Sequence, residues 1–454
     1  MTLEQNIKNV YFLGIGGIGM SALARYFKAK GYRVAGYDRT LSPLTGRMQE
    51  EGIEVNDVDE EKEIDLAFQD PLTTLVVYTP AVPAENRQLN FFKRRGFQLH
   101  KRAEVLGMLS RKGKAICVAG THGKTTVSTL TAFLLKNSSV GCNAFLGGIS
   151  VNFGTNLLLD SRSPYIVIEA DEFDRSFLHL SPEMAVITAM DEDHLDIYGD
   201  RAHLLEAFEA FARRVNPREG RLFLKQGLQL KETRVTATYG VECGADCGAD
   251  HLRVEAGHYV FDYRGLGQEI TGLVLGVPGR LNVENATAAI TLALAAGVRP
   301  EEIRQALPAF QGVSRRFQIH VRTEEVIYID DYAHHPKEIE MTLSSIREMW
   351  PDCPMTVIFQ PHLYSRTRDF QSEFARSLSL ADRVYLLDIY PARELPIPGI
   401  TAEVIRERLT VPADIVSKTV LLEEIVPAFR KGILVTMGAG DIDRLVPEIK
   451  KRLE

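Results

Sequence analysis

The chain has 454 residues, 45% of them hydrophobic, and carries 53 Lys+Arg against 60 Asp+Glu for a net charge of −7. That length predicts roughly two to four domains, and the negative balance argues against a general nucleic-acid binder, so anionic ligands need local basic groups. No run approaches the ~20 apolar residues of a membrane helix, no charged leader precedes an apolar stretch, and five scattered cysteines suit a reducing compartment.

A cytoplasmic protein with no membrane or nucleic-acid partner is therefore expected. Cys243 and Cys247 form a CxxxC without a second pair and read as ordinary loop thiols rather than a zinc site.

In chain order, residues 8–13 read as a buried strand, 21–30 as a helix, and 32–37 and 75–78 as further strands, a pattern that implies a parallel sheet. Between the first strand and helix lies Gly14-Ile-Gly-Gly-Ile-Gly19, and Asp38 closes the next strand. Gly14, Gly16 and Gly19, with Gly17 and Ile18 among them, make a Rossmann-type phosphate loop; the acid is placed where a ribose hydroxyl is usually held. Backbone N–H groups and a helix dipole select a phosphate, not a base. NAD or FAD, another nucleotide, or an unliganded turn all remain open on this loop alone. Residues 101–114 are basic and mixed and read as a domain junction.

The strand–turn–helix pattern restarts with a strand over 114–118, the run Gly120-Thr121-His122-Gly123-Lys124-Thr125-Thr126, and a helix over 124–136. Val118 stands where a strict Walker A has its first glycine. The chemical parts persist: Gly120 and Gly123 allow close approach, Lys124 can reach β- and γ-phosphates, and Thr125 can ligate Mg²⁺. The chain is thus expected to use ATP. A strand over 165–169 ends in Glu169, and Mg²⁺ needs only one or two protein carboxylates. The neighbouring Asp171, Glu172 and Asp174 read in part as a solvated acidic turn. His194, among the acids of residues 191–196, reads as a ligand to a second Mg²⁺ or a group orienting a carboxylate. An amphipathic helix over 201–214, a β-rich stretch over 221–275 and a helix over 282–296 follow. A third restart after Gly312 brings strands over 326–329, 356–359, 383–387 and 432–436 with helices between them.

The expected fold class is α/β in three domains: a Rossmann-like domain over 1–108, a central P-loop ATPase-like parallel sheet over 109–312, and a Rossmann-like domain over 313–454.

The series Gly-Thr-His-Gly-Lys-Thr-Thr (120–126), Glu-Ala-Asp-Glu (169–172), Asp-Glu-Asp-His-Leu-Asp (191–196), Gly-Arg-Leu-Asn-Val-Glu-Asn-Ala (279–286), Ser-Arg-Arg-Phe (314–317) and Asp-Asp-Tyr-Ala-His-His-Pro (330–336) resembles the Mur ligase family. These are ATP-dependent amide-bond-forming enzymes of bacterial cell-wall synthesis. Residues 14–21 and 331–336 are similar to the member that adds the first amino acid. The resemblance implies that the first loop (Gly14, Gly16, Gly17, Ile18, Gly19, with Asp38) holds the UDP of UDP-N-acetylmuramate rather than NAD. It further implies Gly120 to Thr126 on ATP, with Thr125, Glu169 and His194 on Mg²⁺. Asn282 and Asn285 would lie by the adenine, Arg316 by the γ-phosphate and Asp331 by the ATP ribose. Tyr332, His334, His362 and Arg366 would hold L-alanine and the reacting carboxylate. Lys124, His194, Arg316 and His334 are the implied catalytic set, His334 as base for the amine. Many relatives carry Arg after the histidine of Gln360-Pro-His-Leu; this chain has Leu363, so its alanine pocket departs from the pattern.

Mechanistically, an acyl phosphate formed from ATP would activate the muramyl carboxylate, and closure of the C-terminal domain would exclude water. The rival readings are a ligase that joins a whole peptide to the UDP-sugar, an NAD-dependent oxidoreductase and an ATP-driven switch. Oligomeric state is not legible in the sequence.

Overall fold

Short apolar runs dictate the strands. The first five are β1 (Asn9–Leu13), β2 (Arg33–Tyr37), β3 (Glu54–Asn56), β4 (Thr74–Tyr78) and β5 (Leu99–Lys101). They pair in parallel in the order β3-β2-β1-β4-β5. Among the intervening helices are α1 (Ile18–Ala29), α2 (Pro43–Glu50) and α3 (Arg87–Arg94). Side chains of β1 alternate between the two faces. Val10 and Phe12 pack with Leu23 and Phe27 of α1, whereas Tyr11 and Leu13 pack with Leu89 and Phe92 of α3. Burial on both faces explains why the strand reads apolar throughout.

The computed structural model describes residues 6–191, 195–255, 257–392 and 394–454. They divide into two compact units, one of residues up to Asp250 with Asp262–Thr271 and Asn285–Ala309, the other of His251–Phe261, Gly272–Glu284 and Phe310–Glu454. The first unit continues with α4 (Arg102–Ser110), β6 (Lys114–Ala119), α5 (Lys124–Lys136), β7 (Asn143–Phe145), β8 (Leu157–Leu158), β9 (Tyr165–Ala170) and β10 (Met184–Ile187). Next along the chain come α6 (Leu195–Tyr198), α7 (Arg201–Ala212), β11 (Arg221–Lys225), β12 (Ala237–Val241), β13 (Cys247–Glu255), β14 (His258–Gly265), β15 (Gln268–Val274), α8 (Arg280–Ala295) and α9 (Pro300–Ala306), of which β13, β14, β15 and α8 have residues in each unit. The sheet order is β15-β14-β13-β12-β11-β10-β6-β9-β7-β8. β6 lies between β9 and β10 and is parallel to both, so the loops after all three leave the same edge, where an α/β sheet binds its ligands.

The second unit contains β16 (Gln318–Arg322), β17 (Val326–Asp331), α10 (Pro336–Met349), β18 (Met355–Phe359), α11 (Tyr364–Asp369), α12 (Gln371–Leu378), β19 (Arg383–Leu386), β20 (Ala413–Ile415) and β21 (Gly432–Met437). Their order is β16-β17-β21-β18-β19-β20. β16 runs antiparallel to β17, and the other pairs are parallel. Ile327 and Ile329 pack with Leu343 of α10 on one face, and Tyr328 packs with Ile442 and Val446 on the other.

Two elements differ from the sequence reading. α1 begins at Ile18 rather than residue 21, because Gly17 is extended and acts as the N-cap, so the glycine loop runs directly into the first helical turn. The basic stretch over 101–114 also carries a helix that the sequence reading did not assign, α4, whose start is fixed by Glu104 accepting the Lys101 N–H at 2.8 Å.

Within the first unit, α1 is tied to the turn before β8 by a buried polar network. Arg25, only 8% exposed, donates to Glu51 at 2.7 and 2.8 Å and to Asn156 Oδ1 at 3.0 Å. Asn156 is fully buried and donates in turn to Ser21 Oγ at 2.9 Å and Ile18 O at 2.5 Å. Removing the amide would strand polar groups of α1 away from water. Asn156→Ala is expected to lower stability by about 1–3 kcal/mol, read as a reduced urea midpoint at unchanged slope; an unaltered midpoint would refute this role.

Candidate active site

The central loop is built by close backbone approach. β6 runs on to Ala119, with Val118 fully buried and paired to Val186 and Glu169 on either side. The first Walker glycine is therefore replaced by a strand residue, and the turn starts at Gly120. Gly120 has φ +136°, and a Cβ there would lie 2.2 Å from Thr188 Oγ1. Thr188 follows β10 and donates to Ala119 O at 3.1 Å and also to His122 O. The Thr121 N–H donates to Ala189 O at 3.1 Å, and Thr121 Oγ1 accepts from Asp191 N at 3.1 Å. Gly123 is left-handed at φ +82° and caps α5 with no side chain of its own. A Cβ at Gly123 would lie 2.9 Å from Oδ1 of the buried Asn285.

Lys124 folds back over this loop. Its Nζ donates to Gly120 O at 2.6 Å and lies 2.8 and 2.7 Å from the two carboxylate oxygens of Glu172. The Glu172 side chain is fully buried, and its backbone carbonyl accepts the Tyr198 hydroxyl at 2.6 Å. Burial disfavours the charge on Lys124, but Glu172, Asp171 and Glu169 outweigh it and raise the lysine above its ordinary value. Burial pushes Glu172 up to about 7, with Lys124 restraining the shift and Asp171 adding to it. Glu172 is thus an internal partner of the phosphate-loop lysine, not part of a solvated turn.

Next to this pair, Thr125 Oγ1 donates to Glu169 Oε1 at 3.1 Å. The carboxylate fits there because residue 147 lacks a side chain: a Cβ on Gly147 would lie 2.1 Å from Glu169 Oε2. A hydroxyl and a carboxylate at a sheet edge are hard oxygen donors of the kind Mg²⁺ takes. His194 lies outside the described residues. His122 is nearly buried, with Nε2 3.8 Å from Asp191 Oδ2, and Thr126 occupies the first turn of α5.

At the first glycine loop, Gly14 is left-handed at φ +82°, and a Cβ there would lie 2.4 Å from Thr79 Cγ2. Asp38 braces the loop itself, accepting from Gly16 N at 2.8 Å and from Thr40 N at 3.1 Å. Sequence reasoning missed a further neighbour: a Cβ on Gly19 would lie 2.1 Å from Nη1 of Arg102.

The second unit gathers its own cluster at the carboxyl ends of β17 and β18. The rings of Tyr332 and His334 lie 5.2 Å apart, those of His334 and His362 5.9 Å, and those of His362 and Tyr390 5.8 Å and nearly parallel. The guanidinium groups of Arg315 and Arg316 lie 5.2 and 5.1 Å from the Tyr332 ring centre. Glu338 binds this turn together, accepting from His334 N at 3.1 Å and lying 3.2 Å from His334 Nδ1 and 3.5 Å from Arg316 Nη1. Arg366 is half-buried in the first turn of α11, after Leu363, which is buried at φ +69°. Asp331 is 5% exposed and accepts from Phe317 N at 2.9 Å and Ala333 N at 2.7 Å; burial raises it to about 6, against the pull of Arg316. It braces the turn in this structure. Asn282 donates to Pro278 O at 2.6 Å. Tyr390, Glu338 and Arg315 were not singled out from sequence, although Arg315 adjoins the Arg316 that was.

Family models match nearly all of the chain in three consecutive pieces: the Mur ligase family catalytic domain over residues 9–114, the Mur ligase middle domain over 118–293, and the Mur ligase glutamate ligase domain over 315–442. A UDP-N-acetylmuramate–L-alanine ligase of Phocaeicola vulgatus is 50% identical over 98% of this chain and 97% of its own length. One of Porphyromonas gingivalis is 49% identical over 99% of both. The crystal structure of a UDP-N-acetylmuramate–alanine ligase from Thermotoga maritima superposes with a TM-score of 0.83 at 28% identity, covering 98% of each chain. The three-domain α/β architecture read from the sequence is the one these proteins share. Matched along its length by the family models and by relatives of about half identity, the chain belongs to the Mur ligase family.

Proposed function

We propose that this protein is the ligase that joins L-alanine to the carboxylate of UDP-N-acetylmuramate at the cost of ATP, in peptidoglycan precursor synthesis. The observation that carries the reading is the Lys124 loop beside Glu169, in a chain whose full-length relatives at about 50% identity bear that name. The muramyl carboxylate displaces ADP from the γ-phosphorus. The amine of L-alanine then displaces phosphate from the acyl carbon. Lys124 and Arg316 stabilise the charge that develops on the phosphoryl oxygens. Thr125 and Glu169, with His194, would hold Mg²⁺, which when bound neutralises phosphate charge. Gly120 to Thr126, Asn282, Asn285 and Asp331 serve the nucleotide. Gly14, Gly16, Gly17, Ile18, Gly19 and Asp38 serve the UDP portion. Tyr332, His334, His362 and Arg366 serve the amino acid, with His334 taking the amine proton. Domain boundaries near residues 108 and 312 and a cytoplasmic setting complete the reading. Among the described residues, no helix is long and apolar enough to cross a membrane.

Glu172 has a defined part. In this structure it neutralises Lys124 where phosphate would sit. Arriving phosphate oxygens would replace it, so the lysine keeps a hydrogen-bonding partner with and without nucleotide.

Lys124→Ala is expected to cut L-alanine-dependent ADP release by about 10²- to 10³-fold or more while leaving the circular dichroism spectrum unchanged. Near-normal turnover would overturn the assignment, and preference for a tripeptide over L-alanine would favour a peptide-joining ligase. Gly147→Ala pushes into the Glu169 carboxylate, so the Mg²⁺ concentration for half-maximal activity is expected to rise about 10- to 100-fold; an unmoved value would remove Glu169 from the metal.

Glu172 also makes stability depend on pH. Its folded-state value, about 7, lies above its ordinary 4.5. Folding therefore favours the protonated form, and this stabilisation is complete below the ordinary value and lost as pH rises through about 7. Asp331, raised to about 6, acts in the same sense. The nucleotide-free protein should lose stability over this window, and Glu172→Gln should lose less. Parallel melting-temperature profiles for the two proteins would contradict this.

A further inference from the structure

Arg102 lies between the first glycine loop and the acidic turn that follows β9. It is the first residue of α4, and its side chain is 26% exposed. Nη1 lies over Gly19, so a Cβ there would force the guanidinium aside. Nη2 lies 3.3 Å from Asp171 Oδ2. Asp171 is two residues beyond Glu169, in the turn that also supplies Glu172 to Lys124. Lys101, next to Arg102, grips the same turn through Asp174 at 2.9 Å. Asp174 and Arg175 are both left-handed non-glycine residues, at φ 53° and 55°, a conformation that costs energy and persists only where partners impose it.

A guanidinium is a planar fork of five donors and binds phosphate bidentately. A diphosphate at the first glycine loop meets Arg102 where the guanidinium already faces that loop, with Asp171 on its other side. We propose that Arg102 is a positioning residue that couples the two loops: the anionic diphosphate of the UDP-sugar draws its guanidinium from Asp171, and the released carboxylate strengthens the field that holds the divalent cation of the nucleotide. This inference rests on reading the first loop as the UDP site. It makes binding of the sugar nucleotide tighten binding of the metal nucleotide, and by linkage the reverse.

The test is calorimetric titration of Mg²⁺·ADP into the full-length protein with and without saturating UDP-N-acetylmuramate. For the native protein the sugar nucleotide is expected to tighten Mg²⁺·ADP binding about tenfold. Arg102→Met should weaken UDP-N-acetylmuramate binding and bring the coupling factor close to one, and Arg102→Lys should restore part of it. Asp171→Asn leaves the arginine in place, should keep sugar-nucleotide binding, and should also lose the coupling. Full coupling in either Arg102→Met or Asp171→Asn would overturn the inference while leaving the loop assignment standing. Failure of the native protein to bind UDP-N-acetylmuramate would remove the loop assignment together with the inference.

Discussion

A buried lysine needs an anion, and much of the central site follows from that requirement. Lys124 must be buried to lie within reach of a phosphate at the Gly120–Gly123 turn. In this structure Glu172 supplies the countercharge, held by burial and by Tyr198 on its backbone carbonyl. Because both members are shielded from water, neither can be removed without leaving the other uncompensated. In the proposed reading, phosphate would take the place of the Glu172 carboxylate while the loop keeps its shape. Preorganisation of this kind lets a charge act at full strength on a developing phosphoryl transition state, without rearrangement at the moment of reaction.

The same strategy recurs along the chain. Parallel strands buried on both faces end at a common edge, and the loops there carry the polar groups. β1 leads into the Gly14–Gly19 turn, β6 into Gly120–Gly123, and β17 into the Asp331–His335 turn. Each turn is braced from within. Asp38 accepts from Gly16, Thr188 binds the 119–122 backbone, and Asp331 accepts from Phe317 and Ala333. The braces are internal carboxylates and hydroxyls, so a ligand meets backbone whose conformation is already set.

Much of this was legible in the sequence because the signals are local. The glycine turns, Lys124, Thr125 and Glu169 stand at strand–helix boundaries that the hydrophobic pattern marks. Helix α5 runs from Lys124 to Lys136, as the pattern indicates. What escaped depends on contacts between distant positions. Glu172 sits in a run of acids and reads as solvated, since neither Lys124 nor Tyr198 is near it in sequence. Arg102 lies in a basic stretch that reads as a junction, and its neighbours are residues 19 and 171. Val118 departs from the phosphate-loop motif because it is a buried residue of β6, which runs on to Ala119, one residue beyond the strand read from the sequence. Leu363, an oddity against the family pattern, is a buried residue at the cap of α11.

The aromatic cluster of the second unit has a consequence for selectivity. Two guanidinium groups lie over the Tyr332 ring, and its neighbour is the His334 imidazole, which Glu338 and the turn backbone orient. Cations gathered on an electron-rich ring leave little apolar wall. In the proposed reading, in which this cluster serves the amino acid, such a make-up would grip the charged ends common to every amino acid and offer few contacts to distinguish one small side chain from the next, so crowding rather than attraction would set which residue is admitted.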